Sequence, residues 1–513
     1  MNDFRFEYIE CLSVELPEDI LKRKWHGDFQ GADRLIGLWL ERDIPGALRK
    51  KLILEREILK RLPGEYPYTY AEALAKLWEA VPDLTEEEFR ALQDQGRIDW
   101  IYVDGEERFF GRFVETLLKV DFSLTERADR AREASACADR PHADRAEADR
   151  PRMGRVEADR PHAGKAEEDK TRTGGKSADS ALAAASRERS SQQPADREKQ
   201  ALLDVVRQIR EQGSAECRFH IRASLRIRDE SFQKGRVKVH IPIPAECAQL
   251  RDIRILAAFP EPYELAPPHS PQRAVCFQEN MRENHEFWVE YSYVNRADYV
   301  EMDPDEVQPI DPAEFAADLA EQLPHIRFTP YMRTLAGKLT EGLENPLDRA
   351  RSIYDYITAH VEYSFVRSYL TIENLAEYAA IGGRGDCGIQ ALMFITLCRI
   401  AGVPARWQSG LYTTPFSAGC HDWAQVYIAP YGWRCVDCSF GGSAHREGNE
   451  EGRRFYFGNL DPFRMAANSR FQCEFDVKKN FLRADPYDNQ RGEAEYEDRG
   501  LGFEDMVWKA EIE

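Results

Sequence analysis

The chain has 513 residues and a formal charge of −20, which excludes broad nucleic-acid binding because that needs a basic face. Its hydrophobic fraction of 42% suffices for ordinary cores, yet no window approaches the roughly 18 uninterrupted apolar residues of a membrane helix. Eleven cysteines, an odd number without regular spacing, exclude a disulfide framework. The opening "MNDFRFEYIECLSVELPEDI" lacks a basic region followed by an apolar one, so a reducing, cytoplasmic setting is expected and any cysteine chemistry belongs to a free thiol.

Residues 1–125 read as a mainly helical domain. Leu74, Leu77, Trp78 and Val81 fall on one helical face, and Thr85 with Glu88 is a capping box. "WIYVDGEERFFGRF" reads as a hairpin around Asp104-Gly105. No chemical motif lies here, so a packing or partner-binding role is expected. Residues 126–198 change character: "ADRP" recurs at 138, 148 and 158, a ten-residue period. Stacking such Ala, Arg, Asp and Glu units would bury nothing, and the prolines stop a long helix. A disordered charged linker is expected. Its His142 and His162 lack the carboxylate or thiol company of a metal site.

Residues 199–310 begin with an amphipathic helix and then switch to period two. Phe219, Ile221, Ala223, Leu225 and Ile227 alternate with Arg218, His220, Arg222, Ser224 and Arg226, a half-buried strand with a solvated arginine row. "RVKVHIPIP", "IRILAAF" and "FWVEYSYV" add further strands of a β-sandwich-like domain. Residues 311–475 return to helices followed by two strands, an α+β arrangement. Residues 476–513 read as an acidic C-terminal extension. Its run "RADPYDNQRGEAEYED" has no EF-hand spacing, so its acidity is read as solvated and no calcium requirement is expected.

The chemistry concentrates in "GGRGDCGIQALMFITLCRIAGVPARW", residues 382–407. The glycines suit tight turns, Asp386 suits an N-cap, and the run to Ile400 is apolar nearly all round, which marks a buried helix. Gly402 and Pro404 end it. Cys387 therefore stands in the first turn, where unpaired N–H groups and the helix dipole favour a thiolate and stabilise an oxyanion. Cys398, further along the same helix, reads as packing. A nucleophilic thiol wants a base, and the base an orienter. His421 and His445 are the histidines that follow. His421 opens the strand pattern "HDWAQVYIAP", and the return strand "WRCVDCSF" carries Asp437. The two share parity and hence a face. They do not fall opposite in the tightest register, so a bulge or strong twist is expected to join them. His445 lies in a loop pattern without an orienter.

"GRGDCG…ALMFITLCRIAGVPARW", then H-x-W-x-x-V-Y, then "GW…VD" together resemble the catalytic core of the transglutaminase-like superfamily, whose fold is related to papain-type thiol enzymes. The resemblance covers roughly residues 311–445. It implies an α+β, papain-like core with Cys387 as nucleophile, His421 as base and Asp437 as its orienter. It also implies Tyr363 in "HVEYSF" as an aromatic near the oxyanion, although core packing fits that residue as well. The chemistry implied is acyl transfer on peptide or protein amides through a thioester, by a cysteine peptidase, amidase or protein-glutamine acyltransferase. Hydrolysis is expected over crosslinking, with no cofactor and no metal. Asp422 stands where the family often has a small residue, and Cys438 where it often has proline; both bear on substrate preference more than on the triad. Two other readings stay open. One is a metal site from Cys420, His421, Cys435 and Cys438, against which residues i and i+3 of a strand face opposite sides and a second CxxC is missing. The other is a non-catalytic scaffold whose N-terminal helices and linker recruit partners.

Overall fold

The computed structural model describes Cys11, residues 14–138 and residues 194–513. The ten-residue repeats with His142 and His162 lie outside the described residues. The expected linker ends, at 126 and 198, are instead helical: Phe122–Ala138 and Pro194–Gln212. Leu124 and Ala128 of the first bury against the N-terminal core, and Val205 and Ile209 of the second bury against the β domain.

The N-terminal helices, among them Glu18–Trp25, Phe29–Leu40, Gly46–Glu65, Tyr70–Ala80, Glu86–Asp94 and Phe113–Val120, close around Leu77, Phe89 and Phe109. Both Thr69–Glu72 and Thr85–Glu88 form reciprocal capping boxes. Leu74, Leu77 and Val81 are buried, whereas Trp78 sits at the rim with its Nε1 donating to the Leu84 carbonyl at 2.8 Å. Strands β1 (Trp100–Val103) and β2 (Glu106–Phe109) make a hairpin. Its turn has Asp104 at φ 50° and Gly105 at φ 94°, the two positive angles that a tight hairpin requires.

The β domain follows: β3 (Ser214–Ile227), β4 (Gly235–Pro242), β5 (Leu250–Phe259), β6 (Tyr263–Leu265), β7 (Ala274–Met281) and β8 (Glu286–Asp298). The core adds β9 (Glu362–Tyr363), β10 (Arg384–Gly385), β11 (Ala405–Thr413), β12 (Ala418–Ile428), β13 (Gly432–Val436), β14 (Phe457–Gly458) and β15 (Arg464–Asn468). The chain then returns to the β domain with β16 (Glu493–Tyr496) and β17 (Met506–Ile512). Two four-stranded sheets result, ordered β16-β4-β7-β6 and β17-β3-β8-β5, beside a five-stranded sheet ordered β14-β13-β12-β11-β15. The apolar row of β3, Phe219 to Ile227, is buried as its alternation requires.

Residues 476–513 are therefore integrated rather than appended, which corrects the expected acidic extension. Asp476, Glu497, Asp498, Glu504, Glu511 and Glu513 are exposed, but Glu493 and Glu495 are buried, where main-chain amides and cations satisfy them. Glu493 accepts from the N–H groups of Ala484 and Asp485 at 2.7 and 2.9 Å and from Lys479 Nζ at 2.8 Å. Glu495 accepts from the amides of Asn480 and Phe481 and pairs with Lys238 at 3.0 Å.

In the core, the helices Pro330–Leu339, Pro346–His360, Leu375–Gly382 and Cys387–Ile400 share one hydrophobic cluster with Ala424, Val426 and Ile428 of β12. Trp423, on the opposite parity, joins the cluster of the β domain. The Tyr293 hydroxyl and Thr413 Oγ1 meet at 2.7 Å, and Asn295 Nδ2 donates to the Arg464 carbonyl at 2.6 Å. These bonds fasten β8 to the core sheet.

Candidate active site

Asp386 caps the Cys387–Ile400 helix. Its Oδ1 accepts from the Ile389 amide at 3.0 Å and from the Tyr369 hydroxyl at 2.6 Å. Burial pushes the Asp386 carboxyl up to about 6, although these hydrogen bonds pull the other way. The helix is buried from Gly388 to Arg399, so its only half-exposed first-turn side chain is Cys387.

The Cys387 thiol donates from Sγ to Asp422 Oδ2 at 3.3 Å. Asp422 is 6% exposed. Its Oδ1 accepts from Gln490 Nε2 at 2.6 Å, and the same amide nitrogen donates to the His421 carbonyl at 2.9 Å. Burial, then Asp488 and Asp386, push the Asp422 carboxyl well above the usual carboxylate range. Asp488 is held by Ser409 Oγ at 2.7 and 2.8 Å. Burial, then Asp422 and Asp386, push the Cys387 thiol well above its ordinary value as well. Two effects therefore oppose each other at this thiol: the helix terminus favours charge, while burial and the neighbouring carboxyls act against it.

His421 and Asp437 meet. Asp437 Oδ2 accepts from His421 Nε2 at 2.8 Å and from Arg464 Nη1 at 2.9 Å, while Oδ1 accepts from the Phe440 amide at 2.9 Å. Arg464 is fully buried and spans to Asp461 at 2.8 Å. Although burial opposes it, His421 and Arg464 bring Asp437 down to about 2. Burial pushes His421 below its ordinary value despite Asp437, so the imidazole is neutral near pH 7. No bulge interrupts the β12–β13 register beside the pair. The β12–β13 register sets Ala424 against Val436; one step further sets Asp437 against Trp423, diagonal to His421 and within side-chain reach.

Cys387 is not brought to that pair. The β11–β12 register runs unbroken from Ala405 against Val426 to Thr413 against Ala418, so His421 and Asp422 point to opposite faces of β12. Asp422 faces the thiol. His421, at 5.0 Å from the Phe440 ring, faces away with Trp423 and Asp437. Among the described residues no hydrogen bond joins Cys387 to His421.

Tyr363 pairs with Gly385 through β9 and β10, and Lys119 Nζ lies 4.0 Å over its ring. Burial raises its hydroxyl, with Cys387, Asp386 and Asp422 adding to the effect, so Tyr363 stands in the electrostatic surroundings of the thiol. His445 lies in the helix Cys438–Arg446 rather than a loop, with Nδ1 at 3.3 Å from Glu450 Oε1. Cys398 is buried. Cys435 accepts from Gln425 Nε2 at 3.6 Å, whereas Cys438 belongs to the helix-side cluster. Among the described residues no three His, Cys, Asp or Glu side chains gather as a metal site.

Residues that sequence reasoning passed over complete the picture. Gly388 is required by space: a Cβ there would overlap the Tyr369 hydroxyl and lie 2.9 Å from Asp422 Oδ2. Asp422 had one signal, its departure from the small residue frequent at that position in the family. Arg464, Asp488 and Gln490 had none, because their partners are distant in sequence.

Residues 333–438 match the transglutaminase-like superfamily. A curated relative, "Uncharacterized protein YebA" of Bacillus subtilis (strain 168), is 26% identical over 121 residues, 20% of this chain. The chain spans 16% of that relative's length, about one sixth. Among solved structures, a "putative cysteine protease" from Cytophaga hutchinsonii is 15% identical with a TM-score of 0.36, covering 58% of this chain and 92% of its own. The periplasmic domain of TgpA from Pseudomonas aeruginosa is 14% identical with a TM-score of 0.27, covering 46% and 92%. No helix among the described residues is long and apolar enough to cross a membrane.

Proposed function

Starting from the transglutaminase-like core at residues 333–438, we propose that this protein is a thiol acyl-transfer enzyme acting on peptide or protein amides through a thioester on Cys387, with hydrolysis favoured over crosslinking. The observation that carries the reading is the half-exposed Cys387 thiol at a helix N-terminus, hydrogen-bonded to a carboxyl of raised proton affinity. Asp422 Oδ2 stands within hydrogen-bond reach of the thiol proton, the geometry a general base requires. The thiol proton passes to Asp422 as Sγ attacks the amide carbonyl. The main-chain N–H of Cys387 holds the oxyanion. As the C–N bond breaks, the leaving amine takes the proton. Water then attacks the thioester, which releases a carboxylic acid and restores the thiol. A reducing, cytoplasmic setting keeps the thiol competent.

A second reading keeps His421 as base and Asp437 as orienter, the roles that the resemblance implies. Their 2.8 Å bond favours it. Both readings are tested with dimethylated casein, scoring new N-termini and the incorporation of a fluorescent primary amine. Cys387→Ala should abolish both signals. Asp422→Asn should lower turnover by roughly 100-fold or more, the scale of general-base loss, with His421→Ala milder; the reverse order hands the base role to His421. Wild-type protein inert in both assays would sink the acyl-transfer reading in favour of a scaffold.

A further inference from the structure

A cavity of about 610 Å³ lies between the β domain and the core, with Arg399 from the last turn of the Cys387 helix in its wall. Six arginines line it: Arg296, Arg399, Arg406, Arg434, Arg464 and Arg470. Two are neutralised, Arg296 by Asp298 at 2.8 Å and Arg464 by Asp437 and Asp461. The other four have no carboxylate within ion-pair distance among the described residues. Arg399, 6% exposed, donates only to the carbonyls of Ala405 and Ala320, at 2.9 and 2.7 Å. Arg406 donates through Nε to Gln425 Oε1 at 2.7 Å and lies 3.9 Å over the Trp433 ring. Arg434 donates to the Gly458 carbonyl at 3.0 Å and to Asn459 Oδ1 at 3.2 Å. Each of these three keeps at least one terminal nitrogen outside its bonds. Arg470 stands at the exposed rim.

Desolvated guanidinium groups without anions are costly. Burial pushes Arg399 down to about 10 and lowers Arg406 and Arg434 too. Asp318 and Glu246 also line the cavity, two acids against the four arginines that have no carboxylate within ion-pair distance. This is a concentrated positive interior in a chain of net charge −20. Guanidinium forks match carboxylate and phosphate geometry.

We propose that this cavity binds a small organic polyanion, one that presents at least two carboxylate or phosphate groups to Arg399, Arg406 and Arg434. Cys387 is not among the residues that line the cavity, so the occupant is an effector or a separate ligand and not the amide under attack. Arg464 lines the same cavity and bridges Asp461, at 2.8 Å, to Asp437, at 2.9 Å.

The test is isothermal titration calorimetry of the full chain at low salt, with inorganic pyrophosphate and with citrate as probes. At least one should bind saturably, with Kd below about 1 mM, an affinity of roughly −4 kcal/mol. Arg406→Gln with Arg434→Gln should weaken binding at least tenfold. Arg470→Gln, a rim change that leaves the fold intact, should weaken it severalfold, while Arg218→Gln on the outer face of β3 should change nothing. Absence of saturable binding by either probe, or binding that ignores Arg406, Arg434 and Arg470, overturns the proposal.

Discussion

Replacing Asp437 by Asn tests the electrostatics of the buried pair directly. Asp437 stands at about 2 against an ordinary 3.8. At about 1.36 kcal/mol per unit this depression stabilises the fold by roughly 2.5 kcal/mol at pH 7. Because the folded value is lowered, the stabilisation is present above 3.8 and is lost as pH falls through 2; roughly half remains at pH 3. Asn carries no charge, so it forfeits this increment and leaves Arg464 with Asp461 alone. Urea unfolding followed by tryptophan fluorescence at pH 7 and pH 3 measures it. The gap between wild type and Asp437→Asn should be about 2–3 kcal/mol at pH 7 and shrink by about 1 kcal/mol at pH 3. A gap that is below about 0.5 kcal/mol, or that does not move with pH, would refute the ionised pair.

Gly388→Ala forces a methyl against the Tyr369 hydroxyl and Asp422; it should cost about 1–3 kcal/mol, seen as a lower Tm, and an unchanged Tm would contradict the packing. Asp422→Asn removes a carboxyl that holds the Cys387 thiol up, so iodoacetamide at pH 7 should label Cys387 faster in that variant even as turnover falls; equal labelling rates would show that Asp422 does not govern the thiol. Asp485 is pushed up to about 7 by burial and then Asp488, so its stabilisation is lost as pH rises through 7. Asp485→Asn keeps an Oδ1 acceptor for the amides of Tyr487 and Asp488, and thermal scans at pH 5 and pH 8 should show a smaller fall in Tm; an identical fall would rule out this carboxyl as its source.

The helix at Cys387 is legible because its signals are local: Asp386 to start it, an apolar run to bury it, Gly402 to stop it. The alternation of β3 is equally local, and parity alone places His421 and Asp437 on one face. What parity does not reveal is which face the Cys387 helix covers. That depends on how the sheet is sandwiched, and it decides that Asp422 rather than His421 meets the thiol. The C-terminal acids mislead for a similar reason. Composition marks Glu493 and Glu495 as surface charges, while their burial rests on amides at 480, 481, 484 and 485 that only the folded loop presents. The ends of the linker mislead because a few apolar residues, Leu124 and Val205 among them, suffice to dock a helix whose composition is otherwise polar.

The core is an insertion between β8 and β16, and about 280 residues separate Ile227 from its strand partner Met506. At roughly 5–20 residues per second of synthesis, the edge of β3 waits between about a quarter of a minute and a minute for β17. For that interval a nascent chain displays a long strand edge to its neighbours, the situation that templates intermolecular pairing. The Arg218, Arg222 and Arg226 row then acts as a gatekeeper, its like charges repelling the same row on a second nascent chain.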